Sequence, residues 1–317
     1  MSNTIAFVTD PLDQIDPQKD STFALMHAAQ TRGYQVFWME AADVHIQHGN
    51  PVGYMSSITV DPQASEPFTI GASFLASLNE LAAIWWRKTP PYNLDLLFAL
   101  DALQLVKPST LVLNDPRTLR NMNENLFALK LPQLSPQTLV TKNPIAIQGF
   151  MDEVKGKTVV RQLDAPVSRN SFILRKGDPN LKILTEVLTQ NASQYVIAQK
   201  LVTESGLDGD KRIYFVDGTY LGIALQIPSI GELKGSFERG SEAATCDLTA
   251  QDQQLINTLG PVLKENGIFF ATADVADGLI TQLNFSCPGG LVELQSISDS
   301  DVFESIFAGL EQKLVAL

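Results

Sequence analysis

The sequence has little of the residues from which proteins build disulfide frameworks and zinc sites. Its 317 residues contain two cysteines, Cys246 and Cys287, and three histidines. Two cysteines are too few for a disulfide network, so we expect a reducing, cytoplasmic setting. His45 and His48 are close together, but no cysteine or third histidine stands near enough to complete a zinc set. We expect both to be surface residues.

Positive charge and long apolar runs are also scarce. Lys and Arg number 23 against 35 Asp and Glu, which gives a net charge of −12 at pH 7. Because such a chain repels phosphate backbones, nucleic acid is not an expected partner. No apolar run approaches the ~20 residues that cross a bilayer, and no basic segment precedes a hydrophobic one at the N-terminus. The sequence predicts a cytoplasmic protein that does not bind membranes.

The first 120 residues show the alternation of an α/β domain. Residues 5–8 have a buried-strand pattern, Asp20 offers an N-cap for a helix that Gly33 ends, and residues 34–39 form a second strand. Strand, helix and strand patterns recur to residue 113, which is typical of a parallel sheet. Residues 9–13 lack the glycines of a dinucleotide fingerprint. We expect this domain to span residues 1–120.

From residue 121 the pattern changes to an α+β mixture. Short strand patterns alternate with helical ones at 145–153, 181–189 and 249–266, and a final helix is predicted at 302–315. We expect a central subdomain at 121–200 and a C-terminal subdomain at 201–317.

Residues 268–290 predict a β-hairpin around Asp277 and Gly278. A three-residue loop at 276–278 places Asp274, Gln282 and Asn284 on one face and apolar side chains on the other. Three oxygen-bearing side chains on one face could bind a hard cation or a phosphate. A one-sided sheet with its polar face in water fits the same pattern.

A second candidate site follows the strand at 81–86. Arg87 and Lys88 leave this strand and enter a loop stiffened by Pro90 and Pro91, so an anion could bind there. The pattern fits equally well if the two cations only solvate the end of the strand.

Several short strings, taken in order, resemble the prokaryotic glutathione synthetases of the ATP-grasp superfamily. They stand at residues 19–24, 87–91, 123–124, 138–141, 177–181, 208–212 and 260–264. The resemblance implies an α/β N-terminal domain plus an α+β ATP-grasp fold. It also implies an ATP-dependent ligase that activates γ-glutamylcysteine as an acyl phosphate and joins it to glycine, with ATP and two Mg²⁺ between two subdomains.

The resemblance also implies roles for individual residues. Arg212 matches a catalytic residue, and Arg87 and Lys88 match substrate-binding ones. Asp274 and Asn284 match metal ligands. The nucleotide-binding set implied for this chain is Arg161, Gln199, Lys200, Asp210 and Lys211. The resemblance is compatible with a homo-oligomer.

The sequence departs from the family at positions that carry the chemistry. Asn125 stands in place of a phosphate-binding lysine, Arg161 in place of a second lysine, and Gln282 in place of a metal-bridging glutamate. Gln226 stands in place of an arginine. Phosphoryl transfer depends on positioned charge, so these changes weaken the case for bound ATP and Mg²⁺.

Two loops depart as well. The lid expected after Asp164 has no glycine between 165 and 169, and Pro166 has no N–H to offer a phosphate. The second glycine-rich loop of the family is expected after Lys234 and Gly235. Here it carries Glu238 and Glu242, which bring negative charge to a segment that the family uses near anionic substrate.

Three hypotheses are open at this stage. The one that we favour is a degenerate homologue with weakened or absent ligation, which still binds a small peptide or nucleotide. The alternative is an active glutathione synthetase whose phosphate site is rebuilt from Arg161, Arg169, Lys200 or Arg239. A ligase with altered substrates is the third.

Overall fold

The chain forms three β-sheets, one after another along the sequence. The computed structural model of the protein describes residues 3–90, 92–163, 171–203, 209–229, 235–237 and 240–317. The first lid at 164–170 lies outside the described residues. The same holds for Pro91, Asp208, Glu238, Arg239 and the segment 230–234.

The first sheet is the predicted parallel α/β sheet with an antiparallel extension. Parallel pairing joins β2 to β1, β1 to β6 and β6 to β7, whereas β4 pairs antiparallel with β2, β3 and β5. The extension, β3 to β5, was not anticipated from the sequence. The strands are β1 (Thr4–Thr9), β2 (Gln35–Glu40), β3 (Val44–Gln47), β4 (Asn50–Val60), β5 (Phe68–Ser77), β6 (Ala83–Arg87) and β7 (Leu111–Leu113).

Three helices accompany this sheet: α1 (Ser21–Thr31), α2 (Leu94–Leu103) and α3 (Pro116–Asn121). The predicted N-cap of α1 is confirmed, because the Asp20 carboxylate accepts hydrogen bonds from the backbone N–H groups of Thr22 and Phe23. Gly33 follows the helix with a φ of +83°, a conformation that glycine adopts without strain.

The second sheet is antiparallel, in the order β10-β9-β11-β8, and has a hydrophobic core of its own. Helices α5 and α6 supply Ile147, Phe150, Met151 and Leu188 to that core. A short helix, α4 (Glu124–Phe127), leads into the sheet. The other elements are β8 (Thr138–Thr141), α5 (Pro144–Val154), β9 (Thr158–Gln162), β10 (Ser171–Leu174), α6 (Leu181–Leu188) and β11 (Val196–Lys200).

The third sheet has the order β14-β13-β12-β15-β16, with antiparallel pairing throughout. Helices α7 (Ala250–Glu265), α8 (Leu291–Ile297) and α9 (Val302–Val315) accompany it. The strands are β12 (Asp210–Val216), β13 (Thr219–Ile227), β14 (Glu242–Ala244), β15 (Phe270–Ala276) and β16 (Leu279–Asn284). None of the helices in the described residues is long and apolar enough to span a membrane.

The predicted hairpin is confirmed in its faces but was wrong in its loop. The turn has two residues, Asp277 and Gly278, with φ of +47° and +70°, as a type I′ turn requires. A bulge between Asp274 and Val275 shifts the pairing by one residue. Asp274 therefore lies opposite Gln282, and Thr272 lies opposite Asn284. The two arrangements, the predicted loop and the observed turn with its bulge, differ only between the turn and the bulge, where Ile280 and not Leu279 lies opposite Val275. Both place Asp274, Gln282 and Asn284 on one face, so the polar pattern could not distinguish them.

The first and third sheets share their cores. One cluster contains Trp86, Phe127 and Phe285, and another contains Trp85 and Phe269. The buried residue Asn114 joins the two sheets at their junction. Its Oδ1 accepts hydrogen bonds from the backbone N–H groups of Phe269 (2.7 Å) and Phe270 (2.9 Å), and its Nδ2 donates to the carbonyl oxygen of Phe285. Side chains between these sheets are therefore held in fixed positions.

Candidate active site

One face of the third sheet collects several of the charged and polar side chains predicted as a site. Arg212 on β12 lies opposite Asp274 on β15, which in turn lies opposite Gln282 on β16. Because successive residues of a strand alternate between faces, Asp210 and Asn284 belong to the same face. Gln226 on β13 pairs with Asp210 and completes the group.

Arg212 and Asp274 form a buried, two-pronged ion pair. Nε of Arg212 donates to Oδ1 of Asp274 at 2.7 Å, and a terminal nitrogen of Arg212 donates to Oδ2 at 3.1 Å. Nε2 of Gln226 donates to the same Oδ1 at 3.0 Å. The Arg212 guanidinium also lies over the ring of Phe237, 5.3 Å from its centre. Asp274 is thus held by two neighbouring side chains, and it does not face open water as a solvated polar face would require.

The amide at position 282 engages the other predicted metal ligand. Nε2 of Gln282 donates to Oδ1 of Asn284 at 2.7 Å, and Nδ2 of Asn284 donates to Oγ1 of Thr272 at 3.4 Å. The oxygen with which Asn284 would bind a metal is therefore a hydrogen-bond acceptor for its neighbour. In the described part of the chain, no group of three or more His, Cys, Asp and Glu side chains is placed to hold a metal ion.

Arg161 from the second sheet reaches this cluster and contacts Asn125. Its Nε donates to Oδ1 of Asn125 at 3.2 Å, and its terminal nitrogen donates to the carbonyl oxygen of Thr281 at 3.1 Å. Burial lowers the pKa of Arg161 to about 10, although the nearby Asp274 carboxylate acts in the opposite direction. Asn125 and Arg161 thus form one contact, in which Arg161 supplies the only cation.

Glu124, at the start of α4, is hydrogen-bonded to the residues that follow the hairpin. Its carboxylate accepts hydrogen bonds from the backbone N–H groups of Phe285 and Ser286. Burial raises the pKa of Glu124, although these two hydrogen bonds act in the opposite direction. The sequence showed Glu124 only as part of a family string, because its partners lie about 160 residues away.

Arg87 lies at the border of a large cavity between the first and third sheets. The cavity has a volume of about 1410 Å³, and its lining includes Thr22, Arg87, Phe237, Cys287 and Gly290. Arg87 is only 2% exposed, so it does not merely solvate the end of its strand. Its Nε donates to Thr22 at 3.1 Å, and one terminal nitrogen donates to the carbonyl oxygen of Pro288 at 2.8 Å. Its other terminal nitrogen, Nη1, is buried without a hydrogen-bond partner in the described residues.

Arg212 lies behind two residues that line this cavity, Phe237 and Gly290. A Cβ atom at Gly290 would come within 3.4 Å of Nη1 of Arg212 and 2.4 Å of the Tyr214 hydroxyl, and the φ of Gly290 is +86°. Glycine is therefore required there. Cys287 also borders the cavity, and burial raises the pKa of its thiol to about 12, so the thiol stays protonated at neutral pH.

Lys88 forms a separate pair at the rim of the cavity. Its ammonium donates to the Asp10 carboxylate, which also accepts a hydrogen bond from the Thr89 backbone N–H at 3.0 Å. Lys88 is consequently neutralised by a residue of the same domain.

The remaining predicted nucleotide-binding residues lie apart from the Asp274 cluster. Lys211 is on the opposite face of β12, where its ammonium donates to the buried Asp252 of α7 at 2.7 Å. In the second sheet, Nε2 of Gln199 donates to Oγ1 of Thr138 at 3.1 Å, and the next residue, Lys200, is exposed. Their predicted contact with nucleotide stays a prediction.

Comparison with known proteins gives the chain its family. Residues 4–120 match the N-terminal domain of prokaryotic glutathione synthetase, and residues 124–299 match its ATP-grasp domain. The chain belongs to the prokaryotic glutathione synthetase family. The glutathione synthetase of Shewanella oneidensis is 34% identical over 312 residues, which cover 98% of both sequences. That of Synechococcus elongatus is 33% identical and covers 97% of this chain and 98% of its own length.

Solved structures agree on the ATP-grasp fold. The macrocyclase MdnC of Microcystis aeruginosa, bound to its precursor peptide MdnA, superposes with a TM-score of 0.65 at 15% identity, over 99% of this chain and 100% of MdnC. The D-cycloserine synthetase DcsG superposes with a TM-score of 0.64 at 14% identity, over 98% and 99% of the two chains. The predicted glutathione synthetase resemblance and the ATP-grasp fold are thus confirmed.

Proposed function

We propose that this member of the glutathione synthetase family has weak or no ATP-dependent ligation and retains an anion-binding pocket for a small peptide or nucleotide. The observation that carries the proposal is the state of Asp274. This carboxylate is engaged by Arg212 through both oxygens and by Gln226 through one. These three hydrogen bonds occupy most of the roughly four lone-pair sites of a carboxylate, so a metal ion would compete with a guanidinium and an amide for Asp274.

The donor set does not fit the two Mg²⁺ ions that the family implies. Mg²⁺ prefers charged and neutral oxygens in near-octahedral geometry. Gln282 is neutral, and its amide donates to the oxygen of Asn284 that would face an ion. The Arg161 cation approaches the same carboxylate, Asp274, from the second sheet.

The residues expected to bind the ATP phosphates, Asn125 and Arg161, support the same proposal. Asn125 contributes no charge, and its carboxamide oxygen accepts a hydrogen bond from Arg161. Arginine has a wide, planar donor set in place of the compact ammonium of lysine. A hydrogen bond to a charged group is worth about 1.5–3 kcal/mol, so a site without several of them would transfer a phosphoryl group more slowly by orders of magnitude.

The pocket at Arg87 supports the retained binding role. Its unpartnered Nη1 leaves a buried donor unsatisfied, which costs free energy until an acceptor arrives. A ligand carboxylate at this end of the cavity would supply one. Arg87 is therefore the residue that we assign to the anionic group of a peptide.

An active glutathione synthetase is the second candidate function. Its support is that relatives at 33–34% identity over nearly the whole chain are glutathione synthetases by name. In this alternative, the phosphate site is rebuilt from Arg161, Arg169, Lys200 or Arg239.

Calorimetric titration with Mg-ATP separates the two candidates at the level of binding. We expect weak heat or none, with a dissociation constant above about 1 mM. That limit corresponds to a binding free energy of roughly −4 kcal/mol. Titration in the presence of γ-glutamylcysteine should leave the result unchanged. Micromolar binding of Mg-ATP would contradict the proposed weakening of the metal and phosphate sites.

The retained pocket predicts that Arg87→Ala weakens γ-glutamylcysteine binding by about 1.5–3 kcal/mol, the value of a charged hydrogen bond. Lys19→Ala is the matched control, since Lys19 lines the same cavity but is exposed and screened by solvent. It should change affinity by less than about 0.5 kcal/mol. Equal effects of the two substitutions, or no binding by the unmodified protein, would contradict the assignment of Arg87.

A further inference from the structure

Residues 285–288 lead from the end of β16 to the Arg87 pocket, and the last two of them hold Arg87 directly. The carbonyl oxygen of Pro288 accepts a hydrogen bond from a terminal nitrogen of Arg87 at 2.8 Å. The thiol of Cys287 donates to the carbonyl oxygen of Arg87 at 3.2 Å. Since Nη1 has no hydrogen-bond partner among the described residues, the direction in which it points depends on where residues 287 and 288 lie.

Glu124 holds the other end of the 285–288 segment. Its Oε2 accepts hydrogen bonds from the backbone N–H groups of Phe285 and Ser286, the second at 3.0 Å. The Ser286 hydroxyl is a further hydrogen-bond partner of the same carboxylate. A carboxylate suits this place because it accepts from several donors at once. One side chain of α4 therefore fixes the segment that reaches Arg87.

We infer that Glu124 is a positioning residue of the Arg87 pocket. By holding residues 285–288 it sets the place of the Pro288 carbonyl, and that carbonyl orients the guanidinium so that Nη1 faces the anionic group of a ligand. Glu124 itself does not line the described cavity, so it acts through Arg87 and not by contact with the ligand. The identity of the ligand rests on the proposed function, whereas the hold of Glu124 on the segment does not.

Two other residues contact the start of the segment, but they act on Phe285. Asn114 donates to the carbonyl oxygen of Phe285, and the ring of Phe127 packs edge-on against the ring of Phe285 at 5.4 Å between centres. Ser286 is one residue nearer to the pocket, and its backbone N–H is held by Glu124. Loss of the Glu124 carboxylate should therefore loosen residues 286–288 while Phe285 stays packed.

The test compares how fast iodoacetamide alkylates the two cysteines of the whole chain, each quantified by peptide mass spectrometry. Cys287 belongs to the segment, whereas Cys246 lies outside it, is also partly exposed and reports general loosening. Glu124→Ala should raise the Cys287 rate by at least about tenfold, because opening of the segment then breaks three fewer hydrogen bonds. The Cys246 rate should change by less than about twofold, because the opening is local.

Glu124→Gln is the matched rescue variant. Its carboxamide oxygen can still accept from both backbone N–H groups, so the Cys287 rate should stay within about threefold of that in the unmodified protein. Asp301→Ala removes a carboxylate that accepts a backbone N–H at the start of α9, and it should leave the Cys287 rate unchanged. An unchanged Cys287 rate in Glu124→Ala, or an equal rise at both cysteines, would overturn the inference.

Affinity for γ-glutamylcysteine, measured by calorimetry, connects the segment to Arg87. Glu124→Ala should weaken binding roughly tenfold, and it should add nothing once Arg87→Ala is present, because two residues that act through one contact are not additive. Equal losses in both backgrounds would overturn the positioning of Arg87 by Glu124. Absence of binding by the unmodified protein would contradict the proposed function alone, and the alkylation rates would then decide whether Glu124 holds the segment.

Discussion

Replacing Asp274 by Asn should lower the free energy of unfolding by about 3–5 kcal/mol, the destabilisation typical when one partner of a buried ion pair is removed. The reason is that Arg212 is 1% exposed and its charge would then be buried without a counter-ion. The measurement is urea denaturation at pH 7 in the presence of a chelator, with the slope against urea concentration checked for constancy.

Asp277→Asn is the matched control for this prediction. It makes the same chemical change three residues away on the same hairpin, at an exposed position with a φ of +47° that Asn tolerates well. The unfolding free energy should change by less than about 0.5 kcal/mol. If Asp274 were instead held free for a metal, Asp274→Asn would leave the stability without metal unchanged or raise it. That result would remove the main support for the proposed function.

Rebuilding the phosphate and metal contacts together should increase ADP release by roughly 10²–10⁴-fold. Each restored charge-assisted hydrogen bond is worth about 1.5–3 kcal/mol, and about 1.36 kcal/mol is tenfold in rate. The variant combines Asn125→Lys, Arg161→Lys and Gln282→Glu with a glycine-rich lid in place of residues 165–169. The assay measures ADP with Mg-ATP, γ-glutamylcysteine and glycine.

The single substitutions are the controls. Asn125→Lys alone should gain little, because it places a second cation where Arg161 now donates to Asn125 over 3.2 Å. Gln282→Glu alone restores a carboxylate while Asp274 stays bound to Arg212. Groups that act as a unit give strongly non-additive effects. A folded combined variant with no gain over the unmodified protein would mean that these departures do not limit turnover.

Three features could be predicted from the sequence because their signals are local. They are the N-terminal α/β pattern, helix α9 and the polar face of the β15–β16 hairpin. Asp20 caps α1, and helix α9 begins and ends at the predicted residues. The polar face of the hairpin follows from alternation alone, which placed Asp274 beside Gln282 and Asn284. The family resemblance was likewise predictable, since it rests on short strings in a fixed order.

The partners of the site residues could not be predicted in the same way. Arg212 and Asp274 stand 62 residues apart and appeared as separate functional candidates, whereas the structure joins them in one ion pair. The contact of Arg161 with Asn125 spans 36 residues and depends on how the second sheet meets α4. Strand β5 was missed because residues 69–75 are all exposed, so the sequence shows no alternation of buried and exposed positions there.

Steady-state ADP release by the unmodified protein tests the central claim most directly. With saturating Mg-ATP, γ-glutamylcysteine and glycine, the account predicts release that is at least two orders of magnitude below the ordinary enzyme range of roughly 1–10³ per second. Omitting γ-glutamylcysteine should make no difference to the residual rate. Release within that range, dependent on both γ-glutamylcysteine and glycine, would contradict the account and establish the active synthetase instead.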